Sequence, residues 1–191
     1  MTAFVTLEGE AVAIEAANVD TDQMIPARFL RKDRNAGYQN FLFHDLRQDP
    51  AFPLNGHAPV VLVTGPNFGC GSSREGAVYA LVDAGVRCVI APSFGDIFAS
   101  NAAKNGLLTI TLPESQLRAV RSELPGRVAV DLPAQCIRWP DGRTDAFEID
   151  PFRKRCLIED LDDVALTFEH RAAIDAFCAR DRSGRLWAQP G

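Results

Sequence analysis

NFGCGSSREG, residues 67–76, follows the β-branched run PVVLVT at 59–64 and precedes a stretch of helical spacing that stops at Gly85. A buried strand, a glycine-rich connection and a helix in that order form an α/β unit, and such proteins place ligand contacts where strand hands over to helix. The helix start offers unpaired backbone N–H groups and the positive end of a dipole, which suits a carboxylate or phosphate. Arg74 adds a forked, permanently charged donor. A purely structural role competes with this reading. Ser72 and Glu75 have the spacing of a capping box, in which the hydroxyl satisfies a helix N–H and contributes about 1 kcal/mol.

Outward from this motif the alternation continues. Residues 88–91 read as a strand, about 94–104 as a helix with Gly106 in the position after its cap, 107–112 as a strand, 113–124 as a helix opening with proline, and 127–132 as a strand. A Pro-Asp-Gly turn between 137–139 and 144–149 predicts a hairpin, and a final helix is expected within 164–180. Upstream, 4–7 and 11–14 read as two short strands turning at Glu8 and Gly9. Residues 31–37 (RKDRNAG) have no helix or strand period and are expected to form a mobile loop. The polar tail 181–191 is expected to be a partly ordered terminus, with Trp187 as a candidate docking residue.

The chain has 191 residues, 47% of them apolar, enough for one substantial core, and a single domain over 1–191 is expected. Twenty basic side chains stand against 25 acidic ones, a net charge of −5, which argues against binding nucleic acid or an anionic membrane. With no leader-like start and no membrane-length apolar run, a cytoplasmic location is expected. Cys70, Cys88, Cys136, Cys156 and Cys178 form no Cys-x-x-Cys pair, so no metal or cofactor is expected in this chain itself. Arg74 stands where a dinucleotide fingerprint needs glycine, a Walker A loop would need lysine, and no Gly-x-Ser-x-Gly elbow fits. Cys70 as a nucleophile would need His44, His57 or His170 as its partner.

Four blocks, NVDTDQMIPARFL (18–30), NFGCGSSREGA (67–77), SFGDIFASNAAKNGLLTITL (93–112) and FEIDPFRKRCLIEDLDDVALT (147–167), together resemble the small-subunit family of 3-isopropylmalate dehydratase, itself similar to the C-terminal domain of aconitase. The resemblance implies an α/β fold, a swivelling β/β/α domain with mixed parallel and antiparallel strands, closing over a large subunit that carries a [4Fe–4S] cluster. It implies a hydro-lyase that takes water from a small branched 2-hydroxy dicarboxylate and returns it at the neighbouring carbon. On this resemblance Ser72 is the base, acting as an alkoxide, Ser73 and Arg74 bind substrate carboxylate, and Asp22 orients catalytic groups of the partner. Asp20 is structural, and Glu75 caps the helix. Gly76 departs from a histidine common in the family, which removes one outer contact. The family covers 2-isopropylmalate, of leucine biosynthesis, and relatives acting on 2-methylmalate (citraconate) or 2,3-dimethylmalate. YQNFLF at 38–43 departs from the glycine-rich form common in the isopropylmalate enzymes, which keeps a relative with another substrate open as the alternative to 2-isopropylmalate. Arg28, Arg31 and Arg34 in the adjoining loop are candidates for substrate selection, for contact with the large subunit, or for a solvated face. A non-catalytic binding module of the same fold is the alternative from another class.

Overall fold

The computed structural model describes residues 3–185, so Trp187 lies outside the described residues. Among them, seven strands form one sheet in the order β4-β3-β2-β1-β5-β6-β7. β1 (Thr6–Ile14), β2 (Val61–Thr64), β3 (Cys88–Ala91) and β4 (Leu108–Thr111) run parallel. β5 (Gly126–Asp131) lies antiparallel along the other edge of β1, and β6 (Cys136–Arg138) and β7 (Thr144–Ala146) extend it as a hairpin. The α/β class with both kinds of pairing is therefore observed.

Every residue of β2 and β3 is buried, as expected for parallel strands covered on both faces. Leu62 and Val89 pack toward α2 (Glu75–Asp83) and α3 (Asp96–Lys104), against Ala77, Leu81, Phe98 and Ala102. The alternate residues Val61, Val63 and Ile90 pack toward α4 (Glu114–Arg121) and α5 (Pro151–Glu159), against Leu117, Trp139 and Leu157. Each fully buried Leu or Ile stabilises the fold by about 1.5–3 kcal/mol relative to exposure. Arg121, buried on α4, is held by Glu114 and donates to the Thr64 carbonyl at the end of β2.

Four expectations are corrected. Residues 4–14 do not turn at Glu8 and Gly9: β1 runs through, with Gly9 paired to Val128, because β2 and β5 hold it from both edges. A helix that was not expected, α5, follows the hairpin, with Asp150 accepting from Arg153 N at 2.9 Å as its N-cap and Pro151 in its first turn. The expected C-terminal helix is two, α6 (Asp163–Phe168) and α7 (Arg171–Gly184), separated by Glu169 and His170. Residues 181–184, expected to start the tail, close α7. No helix among the described residues is long and apolar enough to cross a membrane.

Candidate active site

Three loops leave the carboxyl ends of neighbouring parallel strands and are stitched together. After β1, Asn18 N donates to Pro66 O at 2.9 Å and Thr21 N to Cys70 O at 3.0 Å, while Gly69 N returns to Val19 O at 2.8 Å. After β3, Phe68 N donates to Ser93 O at 3.1 Å and Gly95 N to Phe68 O at 2.9 Å. Asn18 and Asn67, both with left-handed backbones, face each other through a 2.8 Å amide contact; asparagine tolerates that conformation better than other non-glycine residues. Gly69 has φ 75°, and a Cβ there would overlap the Phe98 ring. No other residue permits the middle loop to lie this close to α3.

Asp20 caps the single-turn helix α1 (Thr21–Met24): its carboxylate accepts from Gln23 N at 2.7 Å, and Gln23 Oε1 accepts from Asp20 N at 3.0 Å. The capping box predicted at Ser72 and Glu75 is instead found here. The expected structural part for Asp20 thus has a definite form. α2 opens two residues later than the capping reading requires, with Arg74 as its N-cap and no side-chain cap bond. Glu75 accepts from Asn105 Nδ2 at 2.8 Å. Burial first, then the Glu75 charge, holds the Tyr79 hydroxyl above its usual range. The expectation that Glu75 caps the helix is overturned, and with it the reading that spends the Ser72 hydroxyl on the cap.

Ser72 and Ser73 are exposed, and no hydrogen bond engages either hydroxyl among the described residues. The Ser72 carbonyl accepts from Thr21 Oγ1 at 2.9 Å and from Arg74 N at 2.8 Å, which fixes the backbone beneath the hydroxyl. Thr21, almost wholly buried, makes a contact that the sequence reading passed over, although it stands between the two aspartates of NVDTD. The Arg74 guanidinium donates to the Asp22 carboxylate, so the fold brings together Asp22, Ser72, Ser73 and Arg74 from segments some 50 residues apart. Arg74 is largely shielded while Asp22 is half exposed, an arrangement in which a fixed cation meets a carboxylate that water and ligand can reach.

The basic residues of the neighbouring loop are differently placed. Arg28 forks onto Asp45 and lies 4.7 Å from the centre of the Phe29 ring. The Arg28 and His44 bonds draw the Asp45 carboxyl down to about 2. Arg34 forks onto Asp83, whereas Arg31 is exposed. Cys70 gains no histidine: His57 Nδ1 lies 2.8 Å from Glu10, His44 binds Asp45, and His170 stands before α7. Among the described residues no group of three or more His, Cys, Asp and Glu is arranged to hold a metal ion, and burial pushes the Cys88 thiol far up. A cleft of about 360 Å³ beside β4 and α5 is lined by Phe94, Asp96, Glu148 and Arg153, not by the four clustered residues, which lie on an open edge.

Residues 1–115 match the family model described as the aconitase C-terminal domain, and 117–151 match the LeuD_N model. The 3-isopropylmalate dehydratase small subunit of Rhodopseudomonas palustris strain BisA53 is 46% identical, covering 98% of this chain and 100% of its own length. That of Acidobacterium capsulatum is 44% identical over 100% of this chain and 95% of its own. The crystal structure of 3-isopropylmalate dehydratase (leuD) from Methanocaldococcus jannaschii superposes with a TM-score of 0.69 at 30% identity, over 90% of this chain and 98% of that one. With full-length likeness in sequence and a superposing fold in agreement, the chain belongs to the aconitase C-terminal domain family, among the small subunits of 3-isopropylmalate dehydratase.

Proposed function

We propose that this chain is the small subunit of a two-chain hydro-lyase that isomerises 2-isopropylmalate to 3-isopropylmalate by dehydration and rehydration, a step of leucine biosynthesis. The full-length identity of 44–46% to proteins bearing that name carries the reading. The chemistry of the open edge supports it. Removing a proton from carbon beside a carboxylate calls for a base, and Ser72 presents a hydroxyl that the fold leaves uncommitted. A hydroxyl acts so only if its alkoxide is stabilised. The amide groups at the start of α2 and the neighbouring Arg74 would supply preorganised positive potential. Arg74 also matches a substrate carboxylate in charge and geometry, with Ser73 as an adjacent donor. Asp22 would hold the guanidinium in place and turn its free face toward groups of the partner.

The partner in this reading is a large subunit carrying a [4Fe–4S] cluster, whose open iron would act as Lewis acid for the departing hydroxyl. The donor set here suits that division, since the five cysteines are dispersed and Cys88 is enclosed. Location in the cytoplasm follows from the metabolic role proposed. Mixing the chain with its cluster-loaded large subunit and following the ultraviolet absorbance of the unsaturated diacid tests the assignment. Turnover of 2-isopropylmalate is expected, with lower kcat/KM for 2-methylmalate and 2,3-dimethylmalate. Preference for either smaller malate would move the assignment to a related dehydratase, and no turnover of any would leave a binding module.

A further inference from the structure

α1 and the loop ahead of α2 run side by side in register. Asp20 pairs with Cys70 as a single parallel bridge, and Thr21 N donates to Cys70 O at 3.0 Å. One step further the Thr21 hydroxyl donates to Ser72 O at 2.9 Å, and beyond it Asp22 accepts from the Arg74 guanidinium. Gly71, with φ 88°, permits this approach, since a Cβ there would stand 3.3 Å from Asp20 Cβ and 3.9 Å from Thr21 Oγ1. α1 is itself stiffened, because Asp20 and Gln23 close a capping box around Thr21 and Asp22. Thr21 is 2% exposed, whereas Ser72 and Ser73 at the far end of its contact are exposed.

A peptide group is planar and trans, so its carbonyl and the N–H that follows point in opposite directions. Two donors hold the Ser72 carbonyl, the Thr21 hydroxyl and Arg74 N at 2.8 Å. The Arg74 bond closes a three-residue turn and travels with the loop. Among the described residues, Thr21 is what ties this peptide to another segment of the chain. The Ser73 N–H, in the same plane, is thereby turned away from Thr21, and it donates to no group of the described chain.

We propose that Thr21 is a positioning residue for the reaction: its buried hydroxyl fixes the peptide between Ser72 and Ser73, and with it the direction in which the Ser72 hydroxyl and the Ser73 amide face the substrate. This rests on the hydro-lyase reading above, in which Ser72 is the base. A displacement of about 1 Å at a reacting group costs about 10²-fold in rate. An exposed loop does not hold that tolerance unaided, because Gly71 leaves the backbone just before Ser72 free to rotate. The β-branch of threonine restricts its own hydroxyl to few rotamers, which suits a rigid tether. Thr21 acts through Ser72 and touches no substrate. Arg74 is tied to Asp22 instead, so the hold on substrate carboxylate does not pass through Thr21.

The test uses the chain assembled with its cluster-loaded large subunit. Thr21→Val keeps the side chain's shape and removes the donor. Its kcat for 2-isopropylmalate is expected to fall about 10-fold to 10²-fold with KM within about twofold, since the pairing of Arg74 with Asp22 is left in place. Thr21→Ser, which keeps the hydroxyl, is expected to recover most of kcat. In a Ser72→Ala background Thr21→Val is expected to lower the residual rate no further, because a residue that acts through Ser72 then has nothing left to place. Wild-type kcat in Thr21→Val overturns the proposal, as does a raised KM at unchanged kcat, no recovery in Thr21→Ser, or an equal loss in both backgrounds. Should Thr21→Val not fold, Thr21→Cys, whose thiol is a weak donor, is expected to show the same split of kcat from KM. Failure of both chains to fold makes the contact structural and overturns the proposal. Each of these results leaves the hydro-lyase reading standing as long as the wild-type complex turns over and Ser72→Ala does not. A wild-type complex inactive on every malate, or one indifferent to Ser72→Ala, removes that reading and the proposal together.

Discussion

Ser72 and Glu75 have capping-box spacing, yet the chain delays the helix until Glu75 and leaves the hydroxyl of Ser72 exposed. The delay has a local cause: Thr21 Oγ1 and Arg74 N both donate to the Ser72 carbonyl, which spends that carbonyl on a turn instead of a helical bond. Ser72→Ala should therefore change chain stability by less than about 0.5 kcal/mol, the range of a surface substitution away from special contacts. Turnover of the assembled enzyme should fall by about 10²-fold to 10⁴-fold, the usual contribution of a positioned base. Thermal melts and steady-state rates on the same preparation check the pair of outcomes; a destabilised, still active variant would return Ser72 to a structural part. Asp45 gives a pH signature. Its folded pKa, about 2, lies below that of an ordinary carboxyl because Arg28 and His44 hold its charge. The contribution of this group is complete above the unfolded carboxyl value near 4 and is lost as pH falls through about 2. Asp45→Asn should flatten the acid limb of stability in that window, as read by urea melts at several pH values.

Elements differ in how firmly they belong to the body. α5 buries Leu157 in the core, and Phe4 N donates to the Leu157 carbonyl at 2.8 Å. Along α7 no described side chain is buried, and Phe177 is 57% exposed. A 14-residue helix that buries no described side chain gains little from the core and is marginal in water. Ending the chain after His170 should thus shift the thermal midpoint by less than about 4 °C, equivalent to about 1 kcal/mol for a domain of this size. Leu157→Ala should cost about 2–5 kcal/mol, and differential scanning calorimetry separates the two. The same contrast explains what the sequence disclosed. Residues 88–91 were readable because a continuous apolar run flanked by helices has few other uses, and Gly106, with φ 71°, stands where a helix end requires it. α5 was passed over because Asp150 and Pro151 close one motif and open the next, and a proline after a hairpin reads as a stop. Within the site, Arg74 was readable as a forked cation at a helix start, whereas the parts of Ser72 and Ser73 came from the family resemblance. The part of Thr21, by contrast, depends on a contact 51 residues away that no local period encodes.

For the whole molecule, the parallel order of β1, β2 and β3 sets three strand ends side by side, and the loops leaving them gather Asp22, Ser72, Ser73 and Arg74 on one open edge. Such an edge can bind and position, but it excludes no water. Strong electrostatic catalysis requires that exclusion, so the edge becomes an active site only when another surface closes over it. It follows that binding to the partner and the chemistry at position 72 should be separable, because Ser72 contributes no hydroxyl bond to the fold that shapes the edge. The Ser72→Ala chain should then occupy the large subunit as well as the wild type does. With the large subunit limiting and both small chains in excess at equal concentration, turnover should fall to about half, and further as the variant fraction rises, by mass action. Titrating the variant against a fixed wild-type amount reads this directly. A rate indifferent to added variant would mean that Ser72 is required for assembly itself, and the division between a fold that positions and a hydroxyl that reacts would be wrong.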